Sequence, residues 1–131
     1  MKLDEFAFFN QQLAGMLKAG IPLAGGSDCP VEPADPLWGI HAAVTRKDMK
    51  GKPRGAFYPN ERITVEEAVR MFTVGGAYAA FQEGQKGTLE PGKLADFVVL
   101  SGDPFRVAPD EIKDLGVEMT VVGGEVEYQK A

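Results

Sequence analysis

The chain has 131 residues, 44% hydrophobic and 25% charged, enough for one small globular domain with a core of its own. Fourteen basic and 19 acidic residues give a net charge of −5. The basic residues do not cluster, which argues against a nucleic-acid partner, and no apolar run approaches the roughly 18 residues of a transmembrane helix. The start, Met1-Lys2-Leu3-Asp4-Glu5, lacks a signal-peptide pattern, so the expected location is cytoplasmic, and the single cysteine, Cys29, excludes an intramolecular disulfide or a Cys-rich zinc site.

Residues 3–19 read as an amphipathic helix. Leu3, Phe6, Phe9, Leu13, Met16 and Leu17 recur at three- and four-residue steps, and Gly20 and Pro22 end the run. The apolar stretch 21–25 then predicts a short buried strand, closed by Gly25-Gly26 and opening at Ser27-Asp28-Cys29-Pro30 into a loop. Asp28 stands at the carboxyl end of that strand. Taken alone, it has a plain role available, an Asx-type turn in which its carboxylate bonds its own backbone.

Asp35-Pro36 starts the next helix, with Asp35 as cap and Pro36 in the first turn, running to about Arg46. Leu37, Ile40, Ala43 and Val44 form its apolar stripe. Trp38 and His41 lie three apart on an adjacent face, within reach of stacking. His41, the one histidine, has a pKa suited to a ligand or general base. A solitary helical histidine is more often a surface or packing residue. Residues 47–62, rich in glycine, proline and charge, predict a long mobile loop, either solvated or drawing an anionic substrate.

Thr64-Val65-Glu66-Glu67 is a capping box that opens a helix through Phe72, which the Gly75-Gly76 pair is expected to break before a further turn or two. Residues 84–92 are turn-rich. Phe97-Val98-Val99-Leu100 predicts a buried strand, with Asp96 at its entrance as either an acid or a structural residue. Residues 109–114 predict a short helix with proline and acids in its first turn. Residues 117–122 and 125–128 predict a hairpin turned at Gly123-Gly124, with one wet and one buried face. The glycine pairs are turns rather than phosphate cradles. No repeat, P-loop or Ser-His-Asp set is present.

Several separated phrases occur in one order: Gly26-Ser27-Asp28-Cys29-Pro30-Val31, Asp35-Pro36-Leu37-Trp38-Gly39-Ile40, Thr64-Val65-Glu66-Glu67-Ala68, Ala77-Tyr78-Ala79, and Gly87-Thr88-Leu89-Glu90-Pro91-Gly92-Lys93-Leu94-Ala95-Asp96. Together they resemble the C-terminal portion of the metal-dependent amidohydrolases, in particular the amidohydrolase family 3 type that includes N-substituted formamide deformylase-like proteins. The likeness runs from about Leu3 to Tyr128. Val74-Gly75-Gly76 departs from it, because family members often carry Asn-Ala there.

The resemblance implies an α+β fragment. Residues 1–83 would be the end of a (β/α)8 TIM barrel, comprising its last strand and flanking helices. Residues 84–131 would be the C-terminal part of a small β-sandwich domain. A complete barrel takes roughly 250 residues. In the family a divalent metal centre, usually zinc, activates water against an amide-type C–N carbon. The resemblance makes Asp28 the strand-eight aspartate, which binds metal and shuttles the proton. Asp96 is implied to be structural, and His41 is not among the ligands, which come from earlier strands. The implied partner is a small-molecule amide-type substrate, with neither nucleic acid nor membrane. The 131 residues alone are expected to be inactive, to bind zinc poorly, and to cover their open edges as a homodimer. The reading that stands against this one is a non-catalytic interaction or assembly module. Half of a split enzyme is a further possibility.

Overall fold

A computed structural model describes residues 14–131. The predicted helix 3–19 lies largely outside these residues; its end, 14–18, is helical. A Schellman pair closes it: Ile21 N–H donates to Met16 C=O at 3.0 Å and Gly20 N–H to Leu17 C=O at 2.9 Å, with Gly20 left-handed at φ 76°.

Three α-helices and a three-stranded sheet follow. Helix α1 spans Pro36–Thr45. Asp35 Oδ1 accepts from Leu37 N at 2.9 Å, Pro36 occupies the first turn, and Arg46 ends the helix in a left-handed conformation. Helix α2 spans Val65–Phe72 and carries the capping box: Thr64 N donates to Glu67 Oε2 at 2.7 Å, and Glu67 N to Thr64 Oγ1 at 3.1 Å. Helix α3 spans Val74–Ala79. The break between α2 and α3 falls at Thr73, whose backbone (φ −121°, ψ −89°) is not helical. The expectation that Gly75-Gly76 breaks the helix is therefore corrected: both glycines lie inside α3.

Strands β1 (Phe97–Leu100), β2 (Val117–Val122) and β3 (Glu125–Gln129) form an antiparallel sheet in sequential order. Gly123 and Gly124 take φ 59° and 89°, as a two-residue turn with the strands' twist requires. Asp96 Oδ1 accepts from Gly123 N at 2.7 Å, so this carboxylate ties the mouth of β1 to the hairpin turn. The predicted alternation of wet and buried faces holds only weakly. Val121 alone in the hairpin is buried, and β3 is exposed throughout.

The predicted strand 21–25 is a second correction. Residues 21–27 join no sheet, and Gly25 N–H bonds instead to Met71 C=O at 2.9 Å. A strand is completed by neighbours at its two edges, and the sheet formed by the described residues lies elsewhere in the chain.

The core joins early and late parts of the chain. Leu37, Ile40 and Val44 from α1 and Ala68 from α2 pack with Ile112, which sits on a 3₁₀ helix, Pro109–Asp114. Ile112 is wholly buried. Residues 47–62 do not form a free loop. Phe57 N–H donates to Arg46 C=O at 2.8 Å, Arg46 Nε to Phe57 C=O at 3.1 Å, and Arg62 Nε to Thr45 C=O at 3.3 Å, so this segment folds back on the end of α1.

Candidate functional site

Asp28 ends the segment 21–27 and begins a turn in which Val31 N–H donates to Asp28 C=O at 2.8 Å. Its backbone is left-handed (φ 52°), a region that aspartate and asparagine enter more readily than most residues. The backbone carbonyl, not the carboxylate, closes the turn, so the Asx-turn role does not account for the side chain. The residue is exposed, and among the described residues no hydrogen bond engages its carboxylate. An exposed, unengaged carboxylate is chemically able to offer oxygen to a divalent metal. Among the described residues no group of three or more His, Cys, Asp or Glu side chains gathers to complete a metal site. The structure therefore presents one ligand-type group rather than a centre.

The segment leading to Asp28 lies against α2 and the start of α3. A Cβ placed on Gly25 would stand 2.7 Å from the Phe72 ring, and one placed on Gly39 of α1 would stand 2.6 Å from it. At both positions the ring packs directly on backbone, and an added Cβ would force the ring to shift. An open groove of about 410 Å³ runs alongside, lined by Leu17, Ile21, Leu23, Arg70, Met71 and Tyr78 among others; Asp28 is not part of its wall.

His41 does not join Asp28. It is fully buried, beneath the 3₁₀ helix Pro109–Asp114. Its Nε2 lies 3.5 Å from Thr45 Oγ1 and 3.8 Å from Asp110 Oδ1, and its Nδ1 has no hydrogen-bond partner among the described residues. Thr45 Oγ1 donates to His41 C=O at 2.8 Å, and Lys47 Nζ pairs with Asp110 at 2.8 Å. Of the two roles open to His41, packing is the one this geometry supports, in the interior rather than at the surface. Trp38 makes no ring contact with it; among the described residues the aromatic pair is Phe57 and Tyr58, edge to face at 4.6 Å.

Burial pushes the His41 imidazole below its ordinary value. Asp110 opposes that shift, Lys113 and Lys47 reinforce it, and Asp114 opposes it more weakly. The unfolded chain thus binds a proton more readily than the folded one. The stability this confers is complete above the unfolded value of about 6.5 and is lost as pH falls from there toward the folded value. Urea unfolding is expected to show a midpoint that declines between about pH 7 and pH 5. His41→Met should flatten that decline, and an unchanged slope in the variant would remove His41 as its source.

Sequence reasoning did not find what Gly75 does. A Cβ there would overlap the carbonyl oxygen of Leu23, and Arg70 C=O would lie 3.2 Å away. The signal available was the departure at Val74-Gly75-Gly76, which reads as a break unless the partner backbone is known.

Comparison with known proteins adds what one carboxylate cannot. The sequence profile of the amidohydrolase family matches residues 6–128. YtcJ of Bacillus subtilis, which carries an amidohydrolase name, is 40% identical over 116 residues, covering 88% of this chain and 22% of that protein. The N-substituted formamide deformylase of Arthrobacter pascens is 36% identical over 118 residues, covering 88% of this chain and 21% of the enzyme. The crystal structure of an amidohydrolase from Thermotoga maritima superposes with a TM-score of 0.62 at 26% identity, over 92% of this chain and 26% of that one. The chain therefore spans about a fifth of the length of the curated relatives it matches.

Proposed function

The chain belongs to the amidohydrolase family, and from that premise we propose that it forms the C-terminal part of a metal-dependent hydrolase of non-peptide, amide-type carbon–nitrogen bonds. Residues 1–83 supply the end of the barrel, with segment 21–25 in the place of its last strand, and residues 84–131 supply part of the small β domain. The observation that carries this reading is Asp28: an exposed carboxylate without a partner among the described residues, at the end of segment 21–27, inside a chain that matches the family over residues 6–128. Asp28 would hold one side of a divalent metal such as zinc, which would supply a nucleophile at neutral pH and polarise the substrate carbonyl. Asp28 contributes one ligand oxygen. It also holds a proton, taken from water and passed to the departing nitrogen. The remaining ligands and the substrate contacts belong to parts of a barrel that these residues do not provide.

The test has two arms. Joined to the rest of an amidohydrolase barrel, the segment supports hydrolysis that a chelator abolishes and added zinc restores. Alone, the 131 residues are expected to be inactive and to bind zinc no more tightly than micromolar, because catalytic zinc sites use about three protein ligands plus water. A tight one-to-one complex of the isolated chain with zinc, measured by calorimetry, would overturn the assignment of a partial site.

One observation favours the interaction-module reading as the second choice. Val98, Val126 and Tyr128 on the sheet are each about half exposed, at 54%, 56% and 48%. The isolated chain is accordingly proposed to pair as a homodimer through its open sheet. Light scattering in the same experiment reads this directly, and a strictly monomeric mass at tens of micromolar rejects it.

A further inference from the structure

We infer that Gly75 and Phe72 are positioning residues for the segment that presents Asp28, an inference that rests on Asp28 being the functional carboxylate. Three contacts hold residues 23–25 from one side, all made by the junction of α2 and α3. Gly25 N–H donates to Met71 C=O at 2.9 Å. The Phe72 ring packs on Gly25 and on Gly39 so closely that a Cβ on either would stand within 3.0 Å of it. The Leu23 carbonyl rests on Gly75, where a Cβ would collide with it.

The last contact is backbone on backbone. A flexible side chain can swing away from an added methyl group, whereas a carbonyl cannot move without carrying its peptide unit. Gly75 has an ordinary negative-side backbone, so alanine there meets steric overlap and no conformational penalty. Its neighbour Gly76, in the same helix, faces open space within 4 Å. The two glycines are thus a matched pair, one holding the strap and one not. Asp28 lies three residues beyond Gly25, and among the described residues no sheet holds the strap from its other side. The placement of the carboxylate is set by this junction.

Cys29 makes the idea measurable, because it is the sole cysteine, is exposed and adjoins Asp28. With one spin label on Cys29 and a second on Glu66→Cys at the exposed face of α2, the distance distribution reports where the segment sits. Gly75→Ala is expected to shift the mean distance by about 1 Å or more, or to broaden it, since packed atoms stand about 3.5–4 Å apart. Gly76→Ala is expected to match the parent. Phe72→Leu, which keeps an apolar side chain but removes the ring, is expected to broaden the distribution.

A purely structural Gly75 would lower the urea midpoint while leaving the distribution of the folded protein unchanged, and that result overturns the inference. If Gly75→Ala fails to fold, Phe72→Leu decides: an unchanged distribution rejects the inference and a broadened one supports it. The readout is position, not turnover. It therefore separates from the chemical role of Asp28, which substitution of Asp28 itself reports.

Discussion

Asp28→Asn, placed in a whole enzyme that carries this segment, is expected to lower turnover by about 100- to 10,000-fold, the usual worth of positioned acid–base assistance. The substitution isolates the charge. Asparagine has nearly the same shape, and it tolerates the left-handed backbone that Asp28 adopts at φ 52°. Asp28 is exposed and its carboxylate bonds to nothing among the described residues, so the fold does not depend on it. What the amide loses is a proton acceptor and a negatively charged oxygen for a cation. Steady-state kinetics with metal in excess, alongside an unfolding curve, is the measurement. Turnover close to the parent's in a variant of normal stability would remove Asp28 from the mechanism.

Ile112→Ala is expected to cost about 2–5 kcal/mol of folding stability. Ile112 is fully buried and packs with Leu37, Ile40, Val44 and Ala68. Truncation removes three carbons from a site whose walls belong to α1 and α2 and cannot simply close over it. Domains are stable by about 5–15 kcal/mol, so the loss is a large share of the total. Val126→Ala, at a half-exposed position on β3, should cost far less. Urea denaturation compares the two. A loss below about 1 kcal/mol for Ile112→Ala would mean that the junction of α1 with the 3₁₀ helix is not the centre of the core.

Elements specified by neighbouring residues were legible in the sequence. Asp35-Pro36, Thr64 with Glu67, and Gly123-Gly124 each act within four residues, and each forms the expected cap or turn. Features decided by distant partners were not. Residues 21–25 have the composition of a strand, but pairing is a property of neighbours, and Met71 takes the Gly25 N–H instead. The burial of His41 depends on residues 109–114, which its own helix does not reveal. Gly75 read as a break because a glycine pair looks the same whether it bends a helix or admits another backbone. For the site, the composition around Asp28 suggested a turn. Only the resemblance assigned it chemistry, since the groups that would complete a metal centre are not gathered here.

The two outer strands of the sheet differ in charge. Strand β3 carries Glu125 and Glu127, whereas β1, Phe97-Val98-Val99-Leu100, has no charge along its length. Like charges repel copies that approach β3 side by side, and nothing of the kind guards β1. At neutral pH the net charge of −5 keeps molecules apart. Near the isoelectric point of about 4.9 that repulsion vanishes, while Val98 and Val99 stay exposed. Colloidal behaviour should follow this asymmetry, with solubility lowest in mild acid and a lysine at Val98 raising it where the same change at Val126 does little.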